Sequence, residues 1–179
     1  AEAREDINED SSYWGYTDDI IFQKFLKNLH TIARKYRDSN FAVVVKIHPR
    51  SIDGTESIFE ALIKKEELPA NIRVSIVKDV STQLLIEISH LILGTTSMLL
   101  IEAAIACKPY ASVQIGLRRK DEFILTKIKL SKTILSSAKL LFFLKYALMK
   151  KKKSIKKFPF MLNATQNIID IINHLLYEK

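Results

Sequence analysis

The sequence predicts an α/β fold: a three-layer parallel sheet of about five strands, flanked by helices and followed by carboxyl-terminal helices. Two observations predict it. Short apolar, β-branched runs alternate with amphipathic stretches at the spacing of strand–helix–strand units. The first such run, Phe41 to Ile47, is almost continuously apolar, as in strands covered on both faces. At 179 residues the chain is long enough for one well-formed core.

Each element can be read in order. From Asp18 to Arg37, Ile21, Phe25, Leu29, Ile32 and Tyr36 recur at spacings of three and four, which predicts an amphipathic helix capped by Thr17 or Asp18. Asp38-Ser39-Asn40 breaks it. The strand Phe41–Ile47 ends in His48-Pro49-Arg50, where proline removes a ladder donor. A short helix over Ile58–Ile63, a strand over Arg73–Val77 and a helix over Ser81–Ile88 follow. The strand His90–Leu93 leads into Gly94-Thr95-Thr96-Ser97, then a helix over Met98–Cys107. Tyr110–Ile115 is a fourth strand closed by Gly116. Residues 120–128 read as helical, Lys132–Leu135 as a short fifth strand, and 137–150 and 163–177 as helices. The sum is a Rossmann-like domain over residues 18–179. Residues 1–17 form an acidic linker or the end of an upstream element.

Composition narrows the partners. The net charge is +8, but residues 1–20 carry −6 and the remainder +14. A basic body favours an anionic partner such as a nucleotide, an anionic membrane surface or a nucleic acid. Nucleic acid is disfavoured, because the lysines cluster without interleaved aromatics. The single cysteine, Cys107, excludes a disulfide framework and a thiolate zinc site, which fits a cytoplasmic setting. No secretory signal opens the chain and no run of about 18 apolar residues is present. The absence of an initial methionine leads us to expect a fragment or a processed form.

Ligands of parallel sheets bind beyond the carboxyl ends of the strands, which directs attention to two loops. Gly94-Thr95-Thr96-Ser97 joins a strand to a helix, where free N–H groups and three hydroxyls suit phosphate oxygens. The same residues also serve if Thr95 or Thr96 merely caps the helix. His48 can donate to a phosphate or act as an acid, and Arg50 can grip phosphate bidentately; a structural role for His48 stays open. Glu102 is a carboxylate in an apolar helix, facing either a cleft or solvent. Gly116 and Arg118, with Arg119 and Lys120, form either a diphosphate site or a solvated turn. The four histidines show no metal-ligand spacing. GxGxxG, Walker and GxSxG motifs are absent, so no cofactor is expected.

On these residues a resemblance rests. VVVKIHPR followed by LILGTTSMLLIEAAIACKPYASVQIG resembles the carboxyl-terminal domain of GT-B glycosyltransferases, more narrowly bacterial capsule and polysialic-acid-type transferases with an HP motif and a later Ser/Thr motif. It covers roughly residues 40–116. The resemblance implies a nucleotide-sugar-binding domain acting in surface or capsular polysaccharide biosynthesis. It implies contacts to the donor from His48, Pro49, Thr95, Thr96 and Ser97, and from Glu102 to the ribose, with His48 the candidate catalytic group. GTTS stands where a sialyltransferase more often shows paired serines. The family's catalytic base comes from an amino-terminal domain, so this chain alone is expected to bind a donor without turning it over. The pattern E-A-x-x-x-x-K-P is shared with UDP-sugar 2-epimerases, which is the alternative enzyme reading. A non-catalytic Rossmann module for membrane or protein association is the third.

The tail adds one more feature. An apolar stretch over Lys139–Met149 runs into Lys150–Lys153, then Lys156 and Lys157. Such a segment is either a peripheral anchor on the inner face of an anionic membrane or a core-facing helix with a solvated lysine loop.

Overall fold

The computed structural model describes residues 13–48, 51 and 54–149. They form a mixed α/β structure in the order α1 (Asp18–Lys35), β1 (Phe41–Lys46), α2 (Thr55–Lys65), β2 (Ile72–Val77), α3 (Thr82–Ile88), β3 (Ile92–Gly94), α4 (Met98–Ile105), β4 (Tyr110–Ser112), α5 (Ile124–Lys127) and α6 (Ser137–Met149). The expected helix over 163–177 and the lysine run 150–153 lie outside the described residues, as do Pro49 and Arg50.

Every pairing is parallel, as the alternating pattern requires. The strands make two separate pairs: β1 with β2 from Phe41↔Ile72 to Lys46↔Val77, and β3 with β4 from Ile92↔Tyr110 to Gly94↔Ser112. The expected fifth strand contracts to one parallel bridge between Val113 and Ile134. The helix expected over 120–128 shrinks to the single turn of α5, because the Asp121 carboxylate accepts the Phe123 N–H at 2.9 Å and holds the chain in a turn before it.

Helix α1 forms the spine. Its buried residues Phe22, Leu26, Leu29 and Ala33 keep the three-and-four spacing of an amphipathic helix, with Ile21 and Ile32 buried beside them. Asp18 and Asp19 lie in its first turn and Arg34 and Lys35 in its last, matching the helix dipole. Thr17 is the N-cap residue, yet its buried hydroxyl has no hydrogen-bond partner among the described residues. At the other end the Asn71 amide donates to the carbonyls of Ala33, Tyr36 and Ser39, joining the helix terminus to the start of β2. Asn28 ties α1 to the first residue of α6 through the Ser137 hydroxyl at 2.9 Å. Leu140 and Leu144 of α6 are fully buried in the cluster that holds Ile21, Ile32, Ala111, Val113 and Ile134.

One sequence expectation is overturned. Among the described residues, strand β1 is covered on one face only: Phe41 and Val43 pack toward Leu29, Ala33 and Ile72, while Ala42 is exposed and Val44 is 45% exposed. The register explains it, since Ala42 lies opposite Arg73 and Val44 opposite Ser75. The polar residues that mark the solvent face belong to β2, so β1 alone reads as apolar throughout. The pair β3–β4 is covered on both faces. Leu93, Ala111 and Val113 pack beneath α6 and α1, and Ile92 and Tyr110 pack against Leu100, Ala103 and Ala104 of α4.

Helix α4 ends in a Schellman turn: the Lys108 N–H donates to Ala103 O and the Cys107 N–H to Ala104 O. Cys107 takes the left-handed position at φ 53° and is exposed.

Candidate functional site

The loop after β3 is fixed from three sides. The Val113 N–H donates to Gly94 O at 2.8 Å, and the Ser112 hydroxyl donates to Thr95 O at 2.6 Å. Ser97 is the N-cap of α4, its hydroxyl accepting the Leu99 N–H at 3.1 Å. Capping therefore falls to Ser97 and to neither Thr95 nor Thr96. Thr96 and Ser97 are exposed, and Thr95 is half-buried. Gly94 lies against Leu100, whose Cγ would meet a Cβ there at 3.4 Å, an ordinary contact distance in the packing that seats α4 on the sheet.

Beneath the loop runs a buried polar network that the motif search did not select. Gln114, 1% exposed, donates through Nε2 to the Ser112 hydroxyl at 2.9 Å and to Asp121 Oδ1 at 3.1 Å. Its Oε1 accepts from the Tyr16 hydroxyl at 3.3 Å. The Thr133 hydroxyl donates to the other Asp121 oxygen and pairs with Thr126. Partial burial raises the Asp121 pKa, but hydrogen bonds from Thr133, the Phe123 N–H, Gln114 and Thr126 outweigh it and hold the carboxyl below its ordinary range. A signal for this network was present in the sequence. Ser112 and Gln114 alternate with Ala111, Val113 and Ile115, so two polar side chains share one face of a buried strand and must find partners there.

The segment before α1 belongs to the same region. Tyr16 and Thr17 are buried, although residues 1–17 read as a linker. Gly15 and Gly116 meet backbone to backbone: a Cβ on Gly15 would lie 2.2 Å from Gly116 O, and one on Gly116 would lie 2.5 Å from Gly15 O. Both take left-handed conformations, φ 86° and 103°, which glycine adopts without penalty. The Arg118 N–H donates to Trp14 O at 3.0 Å. Arg119 donates to Tyr13 O at 3.1 Å and lays its guanidinium 3.5 Å from the Tyr13 ring centre. The turn at Gly116–Arg119 thus holds the amino-terminal segment, a role that neither the diphosphate nor the solvated-turn reading contains.

Of the sequence candidates, the structure brings Gly94, Thr95, Gly116 and Arg118 into this connected region. His48 stands exposed at the end of β1, and Glu102 stands exposed on α4 in a stripe with Met98 and Ile105. Pro49 and Arg50 lie outside the described residues. One neighbour was not foreseen: the Thr95 hydroxyl donates to Asp18 Oδ1 at 3.5 Å, which sets a carboxylate against the loop. An open cleft of about 700 Å³ lies elsewhere, at the carboxyl end of α1 between His30, Arg34, Arg37, Lys65 and Asn71. The negative end of a helix dipole and Glu66 and Glu67 offset its cations.

Comparison with protein-family models, with curated proteins and with solved structures finds no match to this chain.

Proposed function

We propose that this chain is the nucleotide-sugar-binding half of a GT-B glycosyltransferase of surface or capsular polysaccharide synthesis, built on a Rossmann-like three-layer sheet of about five strands. One observation carries the reading. A strand of a parallel pair ends at Gly94, and the next three residues present exposed hydroxyls at Thr96 and Ser97 just before α4. That is the arrangement that binds phosphate oxygens at strand ends.

In this reading Thr95, Thr96 and Ser97 hold the donor phosphates, and Pro49 and Arg50 are further donor contacts. His48 donates a proton or hydrogen bond to the leaving phosphate, and Glu102 accepts from the ribose. Gly116 and Arg118 act one step removed, by fixing the segment that packs on Gln114. An amino-terminal partner domain supplies the catalytic base, so the chain alone binds and does not turn over. A cytoplasmic address, peripheral at the inner membrane face, accompanies the role; among the described residues no helix is long and apolar enough to cross a membrane.

The test is ligand-induced thermal stabilisation by CMP-, CDP-, UDP- and GDP-sugars. A shift with one nucleotide class, absent in Thr96→Ala and in His48→Ala, is the expected result. The non-catalytic reading has one observation in its favour, the Asp18 carboxylate at Thr95, which opposes an incoming anion. No shift with any nucleotide, in the parent chain and in Asp18→Asn alike, would establish that reading instead.

A further inference from the structure

The amino end of α1 meets the candidate loop, where Asp18 touches Thr95, and its carboxyl end opens on the cleft of about 700 Å³. At about 1.5 Å per residue, the 18 residues of the helix set the two places about 27 Å apart. Two elements wall the cleft: the last turns of α1 with Arg37 beyond them, and the segment from Lys65 to Asn71 that joins α2 to β2. The Asn71 amide ties these walls together by donating to the carbonyls of Ala33, Tyr36 and Ser39. It thereby occupies carbonyls that otherwise present the negative pole of the helix to the cleft. A smaller concavity of about 370 Å³ continues along α1, sharing His30, Arg34 and Glu66 and reaching Lys27.

The acids of the cleft offset its cations only in part. Glu66, whose side chain is 10% exposed, is engaged by Lys27 at 3.9 Å. Arg34, Arg37 and Lys65 are exposed and make no ion pair with a described residue, so three cations face the one carboxylate of Glu67. A concavity of this size suits a small molecule better than a flat polymer surface. Guanidinium groups select oxyanions that they can grip with two parallel hydrogen bonds. The cations stand on both walls, Arg34 and Arg37 on the α1 side and Lys65 on the other, so a ligand with two charged groups meets both at once. We propose that this cleft binds a compact polyanion of the diphosphate type, held by Arg34, Arg37 and Lys65 and opposed by Glu67. The site is separate from the Gly94–Ser97 loop and does not depend on nucleotide-sugar binding there.

The experiment is calorimetric titration of the full chain with inorganic pyrophosphate and with orthophosphate in low salt, repeated in Thr96→Ala so that the loop does not contribute. Pyrophosphate should bind about tenfold more tightly than orthophosphate, and equally well in Thr96→Ala. Its affinity should fall about tenfold or more in Arg34→Ser/Arg37→Ser, fall severalfold in Lys65→Gln and rise severalfold in Glu67→Gln. The thermal transition of each variant without ligand should stay unchanged, since these side chains lie at the surface. Absence of pyrophosphate binding in the parent overturns the proposal, and equal affinity for orthophosphate overturns the diphosphate class. A loss just as large in Lys129→Gln/Lys132→Gln, whose lysines are exposed outside the cleft, would reduce the binding to diffuse attraction and overturn it too. Binding kept in the arginine variant and lost in Thr96→Ala would place the anion at the Gly94–Ser97 loop instead. Failure at the cleft leaves the nucleotide-sugar reading standing, because that reading is tested by the nucleotide panel and not by pyrophosphate.

Discussion

In the β1–β2 pair, Phe41, Val43, Ile72 and Val74 pack toward α1 while Ala42, Val44, Arg73 and Ser75 look outward. In the β3–β4 pair, Leu93 and Ala111 pack toward α1 and α6 while Ile92 and Tyr110 pack toward α4. Both pairs are parallel, yet helices pack on both faces of β3–β4 and, among the described residues, on one face of β1–β2. The difference follows from the helices. Helix α4 seats Leu100, Ala103 and Ala104 directly on β3–β4, whereas α3 is only seven residues long and contributes its buried Ile86 to that same cluster. Nothing described covers the outer face of β1–β2. The candidate loop grows from the doubly covered pair.

The comparison can be broken most forcefully at Leu100. Replacing this fully buried side chain by alanine should cost about 2–5 kcal/mol, read as a fall in the denaturation midpoint. A cost below about 1 kcal/mol would mean that α4 does not anchor β3–β4.

Next in size is the contact between Gly116 and Gly15. Gly116→Ala puts a Cβ against Gly15 O in a left-handed conformation and should cost about 1–3 kcal/mol. The only tryptophan, Trp14, reports on it, so its emission should shift to the red as the segment leaves the sheet. Unchanged emission and stability would show that the segment does not need this approach.

Asp121→Ala leaves the buried Gln114 amide short of an acceptor and should cost about 1–3 kcal/mol. The pH dependence has a definite sign. Because the folded-state pKa of Asp121 is depressed, its contribution is complete above the unfolded value, about 3.9, and is lost as pH falls through the lower folded value. Below about pH 4 the parent should therefore lose stability more steeply than Asp121→Asn. Parallel acid titrations of the two proteins would contradict this.

The smallest expected effect is at the open face. Val44→Thr should change stability by no more than about 0.5 kcal/mol, and amides of β1–β2 should exchange faster than those of β3–β4. A cost comparable with that of Leu100→Ala would prove that something covers Val44.

Much of the chain was legible before its structure. The helix over 18–37 appears as Asp18–Lys35, the one beginning at Met98 as Met98–Ile105, and the parallel pairing follows the strand–helix alternation. Apolar spacing is a local property, and it survives translation into structure because burial enforces it. The loop Gly94–Ser97 was legible for the same reason, as a glycine and hydroxyls between a strand and a helix. The network beneath it was not selected, because its members Tyr16, Ser112, Gln114, Asp121 and Thr133 are scattered along the chain and match no motif. Asp18 at Thr95 lay further out of reach, since 77 residues separate the pair.

The sequence by itself determined the alternation of elements, the apolar stripe of α1, and the chemistry offered at the strand ends. Only the tertiary structure decided which face of β1 meets water, which residues hold the candidate loop, and that Gly116 answers to Gly15. The physical reason is range: periodicity is set by neighbours a few residues apart, whereas cover, register and hydrogen-bond partnership depend on segments that meet only when the chain has folded.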